Sequence, residues 1–219
     1  MKKNETKFTS PPSGAGGLVI INYGAGNIQS IMFAIERLGF KATLSNNPDE
    51  IQAADKVIFP GVGEASSAME KLIESGLDRL IPNLQQPVLG ICLGMQLMCK
   101  TSEEGNTKGL GIFDVDVIKF TPSVKVPQMG WNNIYNLQSP LFAGINENEY
   151  MYLVHSFYAP LCKEAIATTN YEVEYASALQ KNNFYGTQFH PEKSGDIGEQ
   201  ILENFLKIPL APKGGTSKR

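Results

Sequence analysis

Short apolar runs that alternate with helical patterns constrain the fold of this chain more than any other feature of its sequence. Leu18–Asn22, Lys56–Pro60 and Pro87–Ile91 are short and apolar, which is typical of buried strands in a parallel sheet. Between such runs, apolar residues recur at helical spacing and stop at a glycine, as in the segment from Ile28 to Gly39. This alternation predicts an α/β domain with a mostly parallel central sheet and helices on both faces.

The second half of the chain has a different pattern. Five segments with turns between them are predicted to be strands, and we expect them to add antiparallel strands to the same sheet: 116–120, 149–154, 165–169, 175–180 and 184–189. Apolar residues at Ile197, Ile201 and Phe205 predict a last amphipathic helix. No linker or repeat divides the chain, so we expect a single domain over 18–208, with a disordered leader at 1–17 and a flexible tail at 209–219.

Composition argues against several classes of function. The 219 residues include 19 Lys and Arg against 22 Asp and Glu, and a net charge of −3 is a poor basis for binding a nucleic-acid backbone. No segment approaches the roughly 20 apolar residues of a membrane helix. Three cysteines without paired spacing indicate free thiols in a reducing cytoplasm rather than disulfides or zinc. We therefore expect no metal, cofactor, nucleic acid or membrane in this protein's function.

Cys92 is the candidate nucleophile. It lies at the centre of Gly90–Gly94, between a predicted strand and a predicted helix, in a thiol version of the Gly-x-Ser-x-Gly nucleophile elbow. Such a turn lifts the side chain out of the sheet, and the helix N-terminus favours the thiolate. The backbone N–H of Leu93 is then placed to donate to an oxyanion. The alternative is a buried cysteine packed by glycines.

His190 is the candidate base. The predicted strand over 184–189 ends at His190, and Pro191 keeps that residue extended. Because residues i and i+2 of an extended chain project to one side, Glu192 is expected to point the same way and orient the imidazole. The alternative is a turn histidine beside a surface glutamate. The other histidine, His155, has no acidic neighbour in sequence and is predicted to line the pocket.

Two glycine turns follow predicted strands. Pro60–Gly63 lacks the Lys-Ser/Thr of a phosphate-binding loop, and its backbone N–H groups are candidates for the second wall of an oxyanion hole. A plain turn is the alternative. The turn at Gly24–Gln29 lacks the third glycine of the dinucleotide-binding pattern, which argues against a nicotinamide or flavin site there.

The motifs together resemble a known family. Gly90–Gln96 and His190–Glu192 are similar to the two signatures of class I (triad) glutamine amidotransferases, over about residues 18 to 208. Four further segments resemble the branch of glutaminase subunits of imidazole glycerol phosphate synthases: Tyr23–Asn27, Pro60–Gly63, Pro127–Asn132 and His155–Tyr158. Gln128 departs from this resemblance, because the branch often has histidine there.

The resemblance implies a set of residue roles. Cys92 would attack the side-chain amide of glutamine, His190 would carry the protons and Glu192 would orient it. Leu93, Val62 and Gly63 would form the oxyanion hole. The implied glutamine-binding residues are Gly61, Gln96, His155, Ser156 and Phe157. In this branch the ammonia passes to a (β/α)₈-barrel cyclase subunit in a heterodimer, and Asn27 and Trp131 match positions at that interface. A core role is the alternative for Trp131.

The sequence leaves other functions open. Close relatives of this branch serve amidation steps in surface-polysaccharide sugar synthesis with a different synthase partner. A non-catalytic scaffold that kept the fold and a free-standing amide hydrolase are further alternatives. The leading hypothesis is a glutaminase subunit that supplies ammonia for histidine biosynthesis in the cytoplasm.

Overall fold

The computed structural model describes residues 17–24 and 26–210. The leader predicted at 1–17 and the tail predicted at 209–219 therefore fall almost wholly outside the described residues. Within them, the helices are α1 (Ile28–Arg37), α2 (Pro48–Ala53), α3 (Ala65–Ser75), α4 (Leu77–Leu80), α5 (Leu93–Met98) and α6 (Gly195–Lys207). Short 3₁₀ turns span 81–83, 104–106, 140–142 and 191–193.

Thirteen strands are found in the described residues. They are β1 (Leu18–Ile21), β2 (Ala42–Ser45), β3 (Lys56–Phe59), β4 (Val88–Ile91), β5 (Thr101–Ser102), β6 (Thr107–Lys108), β7 (Asp116–Lys119), β8 (Gln128–Ile134), β9 (Glu149–His155), β10 (Phe157–Pro160), β11 (Ala165–Tyr171), β12 (Val173–Lys181) and β13 (Phe184–Thr187). Eleven of them form one sheet in the order β2-β1-β3-β4-β13-β12-β10-β7-β5-β6, with β11 pairing with β12. The first five strands of this order are parallel, which confirms the mostly parallel central sheet.

Both faces of the central sheet are covered, because its strands are apolar on both sides. Consecutive residues of β1 alternate between two cores: Val19 and Ile21 lie in one, and Leu18 and Ile20 in the other. The first core includes side chains from α2, α3, α4 and α5, and the second includes side chains from α1 and α6. This arrangement confirms the predicted helices on both faces.

Two predictions about the second half are wrong in part. The segment 149–154 does form a strand, but β9 pairs with β8 in a separate two-stranded sheet instead of joining the central one. Its alternate residues Met151 and Leu153 are buried in the core with α1 and α6, whereas Tyr150 is exposed. Burial of one face only is typical of a strand that packs over a core, whereas a strand inside the central sheet is buried on both faces. In addition, β13 ends at Thr187 and runs parallel to β4, although it is antiparallel to β12.

Among the described residues, no helix combines the length and the apolar character needed to cross a membrane.

Candidate active site

Cys92 occupies a strained turn between β4 and α5. Its φ of 54° and ψ of −111° lie in a region that non-glycine residues rarely adopt, at a cost of about 1–3 kcal/mol. The backbone N–H of Cys92 donates to the C=O of Thr187 at 2.7 Å. The turn is possible because two glycines allow close approach: a Cβ on Gly94 would overlap the C=O of Phe59, and one on Gly61 would overlap the backbone of Gly94.

His190 reaches the same sheet edge from the neighbouring strand. Thr187 at the end of β13 pairs in parallel with Ile91 at the end of β4, so the chain emerges beside Cys92. The His190 N–H donates to the Tyr152 C=O at 2.9 Å, and the Ser194 hydroxyl donates to the His190 C=O at 2.7 Å. These bonds fix the backbone of the histidine between the two sheets.

His190 and Glu192 form a buried pair. Nδ1 of the imidazole donates to Oε1 of the carboxylate at 2.8 Å, and both side chains are almost wholly buried. The two side chains point together as predicted, but the predicted reason, an extended chain from His190 to Glu192, is wrong at Glu192. Residues 191–193 form a 3₁₀ turn, so only His190 is extended, and the turn brings the carboxylate back under the ring.

Electrostatics favour a charged imidazole at this site. Burial acts to lower the pKa of His190, but hydrogen bonds to Cys92 and Glu192 outweigh it and raise the pKa to about 10. Because Nδ1 is committed to Glu192, Nε2 is the nitrogen left for the thiol. The arrangement therefore favours an imidazolium paired with a thiolate, as in thiol enzymes that use a cysteine and a histidine.

A cavity of about 310 Å³ opens over Cys92 and His190. Nine of the predicted site residues line it: Val62, Gly63, Cys92, Leu93, Gln96, His155, Ser156, Phe157 and His190. Gly61 and Glu192 do not line the cavity. Gly61 packs against Gly94, and Glu192 binds His190. The volume is at the small end of the range for small-molecule sites. The structure thus gathers residues from the segments that follow β3, β4 and β13, from α5, and from β9 and β10 around one space, while their individual roles stay predictions.

His155 forms part of the cavity wall rather than a second base. Its Nδ1 lies 2.8 Å from the Phe157 C=O, which can only accept, so this nitrogen carries the proton. Its Nε2 lies 3.2 Å from the Tyr175 hydroxyl, which is also 2.9 Å from the side-chain amide of Gln128. Burial lowers the pKa of His155 to about 4, helped by the nearby positive charge of His190, so the ring is neutral at pH 7.

Two cavity residues, Glu104 and Pro127, were missed by sequence reasoning, whereas Val154 belongs to the segment around His155 that was expected to line the pocket. Glu104 is the most informative, because it brings a carboxylate to the wall. Its Oε2 accepts the backbone N–H of Ala65 at 2.9 Å, at the start of α3. Burial and repulsion from Glu64 raise the pKa of Glu104 despite that bond. No motif marks a single glutamate in a loop, so the sequence carried no signal for it.

Trp131 lies on the surface, so the alternative of a core tryptophan is wrong. Trp131 is 56 % exposed, and Met129 and Tyr150 on the same two-stranded sheet are 65 % and 60 % exposed. We call these three residues the aromatic patch. Trp131 packs edge-on against Tyr152, whose ring centroid lies 6.5 Å from that of His190. The patch is therefore separated from the candidate base by one aromatic ring.

The other predicted interface residue, Asn27, is half-buried before the first residue of α1. Its side-chain oxygen accepts from the Ser30 hydroxyl at 3.0 Å. The remaining cysteines, Cys99 and Cys162, are free thiols away from the cavity. Both contact the core, where burial raises the pKa of each thiol.

Comparison with known proteins agrees with this geometry. The family model described as glutamine amidotransferase class-I matches residues 19–208. The imidazole glycerol phosphate synthase subunit HisH of Bacteroides fragilis strain YCH46 is 55 % identical, over 87 % of this chain and 99 % of that one. The subunit of the same name from Buchnera aphidicola subsp. Schizaphis graminum is 45 % identical, with the same coverage of both chains.

Solved structures show the same fold at low identity. A glutamine amidotransferase crystal structure gives a TM-score of 0.67 at 16 % identity, covering 86 % of this chain and 99 % of that one. A chain of PurLQS from Thermotoga maritima gives 0.65 at 16 % identity, covering 86 % and 96 %. With the family match and the close relatives, these results lead to one assignment. The chain belongs to the class-I glutamine amidotransferases and, within them, to the group of imidazole glycerol phosphate synthase subunits HisH.

Proposed function

We propose that this chain is the glutaminase subunit of an imidazole glycerol phosphate synthase. It hydrolyses glutamine to glutamate and ammonia, and the ammonia passes to a cyclase subunit that makes imidazole glycerol phosphate and AICAR in L-histidine biosynthesis. The observation that supports the chemistry best is the placement of Cys92 and the His190–Glu192 pair at one sheet edge, on one cavity. The names of relatives at 45–55 % identity support the pathway. We take residues 18–208 as the domain that performs this function.

In the first step, the Cys92 sulfur attacks the side-chain amide carbon of glutamine. The carbon–sulfur bond forms as the carbonyl oxygen becomes an oxyanion. The N–H of Leu93, together with N–H groups of Val62 and Gly63, would stabilise that oxygen, since all three residues line the cavity beside the sulfur. The His190 imidazolium gives its Nε2 proton to the departing nitrogen, so ammonia leaves and a glutamyl thioester remains.

In the second step, water hydrolyses the thioester. His190, neutral after the first step, takes a proton from the water as its oxygen attacks the thioester carbon. Collapse of the intermediate breaks the carbon–sulfur bond, which releases glutamate and restores the thiolate–imidazolium pair. Glu192 keeps Nδ1 protonated throughout, so Nε2 is always the nitrogen that exchanges protons.

The cavity also contains groups that suit the two ends of glutamine. Gln96 uses its Nε2 on Phe157 and Gln188, and its Oε1 has no partner among the described residues. That oxygen is available to accept from the substrate. The Glu104 carboxylate is a counter-charge for the α-ammonium group of glutamine. His155, Ser156 and Phe157 form more of the wall, and Gly61 lies behind it against Gly94.

We further propose that the aromatic patch contacts the cyclase subunit, a (β/α)₈ barrel, in a cytoplasmic heterodimer. An exposed Trp131 between Met129 and Tyr150 has the composition of an interface core. Asn27 would lie at the edge of the same contact. This placement would put the exit for ammonia beside the base that releases it.

Ammonia release from glutamine tests the proposal directly. The full chain and its cyclase subunit should release ammonia, whereas the Cys92→Ser protein should release it at least about 1,000-fold more slowly. Cys162→Ser, which changes a thiol outside the cavity, is the matched control and should keep the wild-type rate. A Cys92→Ser protein with wild-type turnover would overturn the mechanism.

Two further readouts separate the alternatives. Rescue of a histidine auxotroph that lacks this subunit is expected for the histidine pathway and not for polysaccharide amidation. Low turnover of the lone subunit, rising when the cyclase and its ligand are added, is expected for a dependent glutaminase. Full activity alone, or equal turnover of unrelated amides, would instead indicate a free-standing amidase.

A further inference from the structure

Gln188 is buried between two residues of the site without lining the cavity. Its side chain lies just before the loop that carries His190, and the residue has no exposed surface. Its Oε1 accepts from Gln96 Nε2 at 2.9 Å, and its Nε2 lies 3.8 Å from Cys92 Sγ. Since the cavity wall does not include Gln188, bound substrate would not touch it.

The direction of these hydrogen bonds is set by one backbone carbonyl. The Phe157 C=O can only accept, and it lies 2.8 Å from the Gln96 amide, so the atom facing it must be the nitrogen. The second N–H of that nitrogen then points to Gln188 Oε1. The nitrogen of Gln188 is therefore the end that faces Cys92. The backbone N–H of Gln188 donates to the Ser177 C=O at 2.9 Å, which anchors this residue to β12.

An N–H donor beside sulfur favours the ionised form. The sulfur also lies 3.9 Å from the Val154 C=O, which can accept from a thiol but only repels a thiolate. A neutral amide donor on another side offsets that repulsion without adding charge. Hydrogen bonds to ionised groups in buried sites are stronger than those between neutral groups.

We propose that Gln188 is a positioning residue, whose side-chain amide donates to Cys92 Sγ and holds the sulfur as a thiolate aimed into the cavity. This inference rests on Cys92 being the nucleophile of the proposed function. It adds a residue that touches neither glutamine nor the proton transfers and acts only through the sulfur.

Several other ionisable groups surround the sulfur: His190 and Glu192 after β13, Tyr23 after β1, Tyr175 on β12, His155 on β9 and Glu104 in the 104–106 turn. Burial raises the pKa of the Tyr23 and Tyr175 hydroxyls, so both stay neutral near pH 7. His155 is neutral as well. The proton exchange that matters for the sulfur is therefore the one between Cys92 and His190. The amide of Gln188 contacts the sulfur of that pair.

Alkylation of Cys92 by iodoacetamide, measured against pH in the full chain, tests the inference without any glutamine turnover. Mass spectrometry of the Cys92 peptide separates it from the half-buried Cys162. Gln188→Met removes the donor at similar volume and should move the midpoint of the profile up by about one pH unit. One unit below the wild-type midpoint, the rate should be about tenfold slower. Gln188→Glu should shift the midpoint further, because it puts a negative charge beside the sulfur.

Thr187→Val is the matched control. Thr187 is the last residue of β13, directly before Gln188, and its buried hydroxyl has no partner among the described residues, so the midpoint should not move. The plateau rate at high pH should not fall in any variant, whereas a merely structural role would lower the rate at every pH. If Gln188→Met does not fold, Gln188→Leu, which also lacks the donor, takes its place.

Two results would overturn the inference: a midpoint within about 0.2 pH units of wild type in the variant that lacks the donor, or an equal shift in Thr187→Val. Failure here leaves the proposed function standing as long as Cys92→Ser abolishes ammonia release. Conversely, an active Cys92→Ser protein would remove the nucleophile on which the inference rests. The two failures are thus distinguishable.

Discussion

Glu104 offers a quantitative test of how the cavity recognises its substrate. Glu104→Gln keeps the size of the side chain, and its amide oxygen can still accept the Ala65 N–H, so the wall should keep its shape. The change removes only the negative charge proposed to face the α-ammonium group of glutamine. Because that group is remote from the amide that reacts, binding should weaken while the chemical step is unaffected.

The magnitude follows from the type of contact. A hydrogen bond between charged groups contributes about 1.5–3 kcal/mol, and Glu104 is only partly buried, so we take the lower end of that range. This corresponds to an increase in KM of about tenfold, with kcat within about twofold, in steady-state ammonia release with the cyclase present. Glu103→Gln is the matched control, because that exposed carboxylate accepts the Lys119 N–H outside the cavity.

A substrate analogue sharpens the assay. 4-Carbamoylbutanoate has the amide and carboxylate of glutamine but no α-amino group. Wild type should prefer glutamine over this analogue, and the ratio between the two substrates should be about tenfold smaller in Glu104→Gln. A KM for glutamine within twofold of wild type, or an unchanged preference, would refute the proposed contact.

The same residue gives a pH dependence with a definite sign. Burial and the neighbouring Glu64 raise the pKa of Glu104, so this carboxylate takes up a proton at higher pH than an exposed glutamate. Its contribution to binding is present above that pKa and lost as the pH falls through it. KM for glutamine should therefore rise on the acid side in wild type and stay flatter there in Glu104→Gln.

Three further predictions concern other parts of the site. Glu192→Gln should lower kcat by about 10²- to 10⁴-fold in ammonia release, because the His190 cation loses its counter-charge; a loss under about fivefold would contradict an orienting role. Trp131→Ala should leave the free energy of unfolding within about 0.5 kcal/mol of wild type but weaken calorimetric binding of the cyclase at least about tenfold; unchanged affinity would remove the patch from the interface. Gly94→Ala should destabilise by about 1–3 kcal/mol in urea unfolding, since its Cβ would overlap Phe59; wild-type stability would show that the elbow relaxes freely.

Local sequence signals were sufficient for the parallel half of the fold. Strands such as Lys56–Phe59 are buried on both faces, and a continuous apolar run marks such strands clearly. The signals failed at Glu149–His155, whose partner is the preceding strand, Gln128–Ile134, which was not predicted. Nothing in Glu149–His155 says that it pairs with Gln128–Ile134 instead of the central sheet, because alternation reveals that one face is buried but not which layer buries it.

The same division applies to the site. Cys92 and His190 stand in motifs whose residues are adjacent, so sequence spacing could find them. The roles proposed for Glu104 and Gln188 depend on positions that only the folded chain brings to the cavity and to the sulfur, and single residues of these types are common on any surface. The exposure of Trp131 could not be decided either, because an aromatic residue in a strand suits a core and an interface equally.

The parallel pairing of β4 with β13 has a consequence for the way this enzyme loses activity on heating. Cys92 directly follows β4 and His190 follows the neighbouring β13, and the Cys92 N–H donates to the Thr187 C=O, so hydrogen bonds of the sheet hold together the two strand ends from which these residues emerge. The short segment after β13 is held as well, because the His190 N–H donates to the Tyr152 C=O on β9. Thermal inactivation should therefore coincide with melting of the central sheet, and residual turnover can serve as a direct count of molecules whose sheet is still intact.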